Sequence, residues 1–406
     1  MSDGQGPAAR LASGVPLREA LDTASPEAWL ALDAEVRILA SRPANRLPTR
    51  NELRGSAAGP ASPAVESRLA LALCHPNGRV REAALGRAAG APGLLPLLVV
   101  RCADWAAPVR DRARAVLADT AGPELASAAA LVLRLSRRDR GGFTLDLLEH
   151  VLRDGPGPVV VALLADEERA VRRLACRIAV GRGLLTRAEL ARRAATDDDG
   201  RVQVHCAEAA LAGAGEEDYD TVVAPLLAAR PPQVRSAGVT GLRRTGRHGQ
   251  AAAFLTDRSA LVRACARYVL RQGGTDPLPL YRSMCADPAR HPAAAAGLGE
   301  CGSRTDAGTL WPLTAHPLPA VRAHAVSALC ALDAVRPERI RPLLDDPSAA
   351  VVRAAGRALR PYAATLDADL LRARLTPDVP RPTRVAALRL LRAREHAHAR
   401  GLYPGP

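Results

Sequence analysis

The chain is 406 residues long, with 48% apolar residues, only 2% aromatic residues and a net charge of +14 carried by arginine alone, since none of its 56 basic residues is lysine. That apolar content is enough for a packed core. The basic balance suits acidic or polyanionic partners, although GC-rich codons, which favour arginine, alanine, glycine and proline, are a second origin for it. The first twenty residues hold no apolar leader core, and no run approaches the roughly 18 apolar residues that a spanning helix needs, so no membrane role is expected.

In chain order, Leu17 to Asp22 and Ser25 to Ala40 read as helices within an N-terminal segment, 1–40. Ser25 serves as N-cap of the second, with Pro26 at its first helical position. Over 41–64, Pro43, Pro48, Pro60 and Pro63 with Gly55 and Gly59 read as a linker.

From residue 65 to 395 the chain repeats. A valine-arginine pair recurs about every thirty residues, a period typical of stacked helical hairpins: Val80-Arg81, Val109-Arg110, Val171-Arg172, Val234-Arg235, Val262-Arg263, Val321-Arg322 and Val352-Arg353. Val202-Gln203 and Val385-Ala386 hold the register with the arginine lost. Gly141-Gly142-Phe143 and His291-Pro292 mark degenerate third and eighth hairpins. Five positions before the valine an aspartate or histidine recurs, as at Asp104, Asp166, Asp257 and His316. Such residues cap helix starts and suit the positive end of the helix dipole. A small residue recurs at +4 and an apolar one at +7 or +8, which puts the valine stripe on one inward face. The arginine after each valine is placed to pair with an aspartate of the adjacent repeat, forming a ladder along the stack.

The run Asp346-Pro347-Ser348-Ala349-Ala350-Val351-Val352-Arg353-Ala354-Ala355 resembles the HEAT repeat, and its short period resembles the HEAT-like subclass of phycobilisome-lyase-type proteins. The expected fold is therefore all-α: a right-handed α-solenoid, or superhelix, of about eleven HEAT-like helical hairpins. Residues 396–406 form a tail behind the last hairpin.

Catalytic signals are sparse. HEAT-like deoxyhypusine hydroxylases carry His-Glu dipeptides for a di-iron site, and this chain has none. HEAT-like alkylpurine DNA glycosylases share only the architecture; Trp105 and Trp311 read more simply as packing at hairpin turns. No P-loop, GxSxG, HExxH or paired-cysteine zinc pattern occurs. The eight cysteines are scattered singly beside apolar positions, the pattern of free thiols in a reducing cytoplasm.

The chain is thus expected to be a non-catalytic scaffold without cofactor or metal. Its partner is expected to be a protein or peptide, an acidic one included, held on the concave face. The alternative is a nucleic acid held by surface arginines. Offsets +2, +5, +6 and +9 from the valine face away from the core, which makes Arg114, Arg173, Arg177, Arg243, Arg267, Arg271 and Arg357 the candidate partner-binding residues. The densest basic stretch, with Arg381, Arg384, Arg389, Arg392, Arg394 and Arg400, is expected to be a capping helix able to meet an acidic partner or nucleic acid.

Overall fold

The computed structural model describes residues 6–41, 47–55 and 63–399. Parts of the expected linker (42–46 and 56–62) and of the expected tail (400–406) lie outside the described residues. Every regular element is helical, with no strand among the described residues, so the chain is the all-α solenoid its periodicity implies. It divides into two compact units, one of Met1–Thr186 with Asp199–His205 and one of Arg187–Asp198 with Cys206–Pro406.

The first unit opens with α1 (Pro7–Ala12), α2 (Leu17–Ala20), α3 (Pro26–Leu39) and α4 (Arg50–Gly55). Ser25 caps α3 by accepting from the Ala28 amide, as its position before Pro26 predicts. Hairpins follow: α5 (Pro63–Leu73) with α6 (Gly78–Ala88), α7 (Leu95–Arg101) with α8 (Ala107–Thr120), α9 (Ala129–Leu135) with α10 (Gly142–Asp154), and α11 (Gly157–Leu163) with α12 (Arg169–Gly181). The third hairpin lacks the valine-arginine pair yet forms a full second helix, because Thr144, Leu148 and Leu152 supply a buried stripe at four-residue spacing. Gly141 is required where α10 begins, since a Cβ there would lie 2.0 Å from the Leu135 carbonyl oxygen.

Next come α13 (Arg187–Thr196), in the second unit, and α14 (Gly200–Leu211), which contributes residues to both. The second unit continues with α15 (Ala224–Leu227), α16 (Pro232–Arg244), α17 (Ala260–Gln272), α18 (Pro277–Ala286), α19 (Ala294–Cys301), α20 (Ala307–Leu313) and α21 (Pro319–Ala331). It closes with α22 (Pro337–Ile340), α23 (Ala349–Leu359), α24 (Ala368–Arg372) and α25 (Arg381–Ala399). Second helices pack on one another: α6 on α8 in the first unit, and α16 on α17, α19 on α21, α21 on α23 and α23 on α25 in the second. The repeat valines from Val80 to Val352 are buried, as the inward stripe requires.

The ladder exists, and its geometry repeats closely. Arg81 Nε and Nη2 donate to Asp104 at 3.0 and 2.9 Å, while its Nη1 donates to the His75 and Pro76 carbonyls at 2.7 and 2.9 Å. Arg235 repeats this on Asp257, at 2.9 Å for both bonds, and Arg322 on Asp346, at 2.8 Å for both. Each aspartate also accepts the amide two residues on, from Ala106, Ser259 or Ser348. One guanidinium therefore ties the turn before its own helix to the turn before the next. Burial pushes these carboxyls up, but the hydrogen bonds from arginine and amide outweigh it and hold all three below the ordinary aspartate value of 3.8.

Three rungs depart from the expected pattern. Arg110, before the degenerate third hairpin, donates to the Asp104 carbonyl of its own turn at 3.1 Å and lies 3.6 Å from Asp111 of its own helix. Arg263 meets no aspartate in the eroded eighth hairpin; Glu300 of α19 takes that place and also accepts from Arg267 at 2.6 Å. At the tenth hairpin the true register is Val351, five residues after Asp346, not the Val352-Arg353 pair. Val352 sits buried at the ladder position, and Arg353 is turned outward. The eleventh register also slips: Val385 is exposed, while Thr383, Ala386, Ala387, Leu390 and Leu391 form the buried stripe of α25.

Candidate anion-binding groove

Slipping the frame by one residue at α23 has a consequence for charge. Measured from Val351, Arg353, Gly356, Arg357 and Arg360 stand at +2, +5, +6 and +9, the outward offsets of the repeat. These four residues line one wall of a groove of about 400 Å³ whose other wall is α25. From α25 come Arg389, Arg392 and His396 together with the apolar Val385, Leu390 and Ala393. Gly356 lets the two helices approach closely, since a Cβ on it would lie 3.2 Å from the Ala386 Cβ.

The five groove arginines are all exposed, and none makes an ion pair or hydrogen bond with a described residue. No carboxylate lines the groove. Elsewhere in the chain arginines are mostly engaged, in the ladder, in pairs such as Arg282–Asp306 at 2.7 Å, or over aromatic rings such as Arg339 on Trp311 at 4.2 Å. Arg357 and Arg360 lie at the C-terminal end of α23, where the dipole favours cations. That account does not reach Arg353, Arg389 and Arg392, which stand within their helices. Five like charges along one groove repel one another, so the cluster is a concentration of positive potential without internal neutralisation.

The seven arginines singled out by the repeat offsets have different fates. Arg357 lies in this groove. Arg173 and Arg177 line a smaller cleft of about 220 Å³ in the first unit, with Cys176, Arg201, Val202 and His205. There Arg173 is held by Asp199 and Arg177 by Glu149, at 2.5 and 2.6 Å, so that cleft is largely neutralised. Arg114 is half-buried, donating to the Cys102 and Arg140 carbonyls at 3.1 Å each and lying 5.2 Å over the Phe143 ring. Arg243 and Arg271 are exposed on α16 and α17. Arg267 is buried, with its guanidinium on Glu300 and near the Tyr281 hydroxyl at 3.4 Å, so its +5 offset does not bring it to the surface. The pattern rule missed Arg353, Arg360, Arg389, Arg392 and His396. The first two were hidden by the register slip, and the charge run from Arg381 was the available signal for the others.

Burial pushes the thiols of Cys74 and Cys102 up to about 12 and that of Cys285 to about 11, so these cysteines are protonated packing groups, not nucleophiles. No helix among the described residues is long and apolar enough to cross a membrane.

No family model and no curated protein matches the chain. Among solved structures it is similar to importin beta crystallised in an ammonium sulfate condition, at 13% identity over 98% of this chain and 70% of that one, with a TM-score of 0.36. Yeast importin-beta (Kap95p) is similar at 13% identity over 97% of this chain and 60% of that one, with a TM-score of 0.31. Kap121p is similar at 13% identity over 98% of this chain and 50% of that one, with a TM-score of 0.30. Likeness at this level carries no argument about function.

Proposed function

We propose that the chain is a non-catalytic scaffold that holds an acidic protein or peptide partner on the outward face of its second helices, the face that stacked hairpins present as a concave surface. One observation carries this reading: the groove between α23 and α25 gathers five arginines that serve no ion pair inside the fold. Its apolar lining at Val385 and Leu390 suits a polypeptide, whose side chains mix charge with hydrocarbon. A nucleic acid is the weaker fit. A single strand stacks its bases on aromatic rings, and the groove has none. The repeats themselves we place beside the short phycobilisome-lyase-type HEAT-like units, on period and on the Asp346 to Ala355 run.

The test is fluorescence anisotropy of a labelled acidic peptide and of labelled duplex DNA, at about 50 and 200 mM salt, a range over which exposed charge contacts weaken. The peptide should bind at the lower salt, and Arg357→Ala with Arg389→Ala should abolish it. Binding that ignores those two substitutions, or duplex bound more tightly than peptide, refutes the proposal.

A further inference from the structure

The dimensions of the groove restrict what shape of acidic segment can enter it. Arg353, Arg357 and Arg360 follow one another at i, i+4 and i+7 on α23, so at about 1.5 Å of rise per residue they form a cationic row about 10 Å long. Arg389, Arg392 and His396 stand at i, i+3 and i+7 on α25 and form a second row of similar length. The remaining lining is apolar and small, with Gly356 and Ala386 at the close approach of the two helices. The groove thus offers two arginine rows, three on α23 and two on α25, over a hydrocarbon floor.

An extended chain matches the two rows in length and in side-chain spacing. At about 3.3 Å per residue, three to four residues span the rows, and successive side chains point to opposite sides. Arginine, with its flat fork of donors, matches a carboxylate in a paired geometry that lysine lacks.

The geometry points to an extended run of about four consecutive acidic residues as the docking element of the partner, with alternate carboxylates reaching the α23 row and the α25 row. This rests on the reading of the chain as an acidic-partner scaffold. It adds a constraint that the scaffold reading lacks: both rows act on one ligand at once.

Three labelled peptides separate the possibilities on the full chain at about 50 mM salt. They are hexa-aspartate, an aspartate-alanine alternating hexapeptide whose charges all face one side when extended, and a helix-stapled peptide with acidic residues at i, i+4 and i+7. Hexa-aspartate should bind most tightly. Arg357→Ala and Arg389→Ala should each weaken it about five- to tenfold, because each removes one charge-assisted pair. The alternating peptide can use either row, so each single substitution should weaken it by no more than about twofold and the double substitution by about five- to tenfold. A stapled helix that binds as tightly as hexa-aspartate overturns the extended geometry and leaves the acidic-partner scaffold standing. Failure of every peptide to bind the parent chain overturns both.

Discussion

Arg81 gives the sharpest test of the ladder, because its side chain and that of Asp104 are both almost wholly removed from solvent, at 0% and 1% exposure. Truncation to alanine removes two bonds to the Asp104 carboxylate and two to the carbonyls of His75 and Pro76. A broken buried pair costs about 3–5 kcal/mol when the remaining charge is stranded. Asp104 is not fully stranded here, since Arg101 Nη1 and the Ala106 amide each still donate to it at 2.9 Å. The two carbonyls lose donors at about 1 kcal/mol each, and the vacated volume adds a cavity term. The loss should therefore fall near the lower end, about 3 kcal/mol. Urea denaturation followed by circular dichroism, at about 0.05 and 0.5 M NaCl, should show that loss equally at both, because buried pairs are weakly screened. A loss below about 1 kcal/mol, or one that high salt erases, would mean that packing, not the rung, joins these repeats.

Acid should act through the same rungs. Asp104, Asp257 and Asp346 have folded values held below the ordinary 3.8, so the stability they contribute is present above that value and is lost as pH falls through the folded values. Denaturation midpoints should stay level down to about pH 5 and fall below about pH 4, and a level midpoint at about pH 3 would contradict the linkage. Gly297→Ala should destabilise by about 1–3 kcal/mol through overpacking, since its Cβ would lie 2.0 Å from a ring carbon of Tyr281, itself fixed by a 2.9 Å bond to the Leu255 carbonyl. A variant that melts like the parent would show that the ring can move. Arg389→Ala should leave the melting temperature unchanged or slightly raised, because it relieves repulsion and breaks no described bond; a clear drop on calorimetry would reveal an internal role for that side chain.

The sequence made the architecture legible because the intact hairpins repeat one physical solution: a buried valine, a small neighbour and an arginine aimed at the next aspartate. Its errors arose where one residue could play two parts. Val352-Arg353 has the letters of the ladder pair, but Asp346 counts five residues to Val351, and burial of Val352 follows that frame. In α25 the pair of alanines at 386 and 387 carries the core in place of Val385, which no spacing rule would favour over a valine. Glu300 replaces the missing aspartate from a different helix position, a substitution visible only in three dimensions. The groove was half legible. Its charge shows in the run from Arg381, but the meeting of that run with α23 depends on how the last hairpins pack.

The missing rung at Val352 has a mechanical side. Where an arginine ladder crosses from one hairpin to the next, separating them breaks several charged bonds together, so neighbouring hairpins resist load as one piece. Between α23 and α25 no such rung crosses the groove side among the described residues, and the charged ties lie elsewhere: Arg394 Nη1 donates to the Ala364 and Leu366 carbonyls at 2.6 Å each, and Arg374 pairs with Asp345 at 2.5 Å. A partner that spans both walls would add a clasp on the groove side, so its presence should raise the force needed to part α23 from α25 and leave the ladder-bound hairpins where they were.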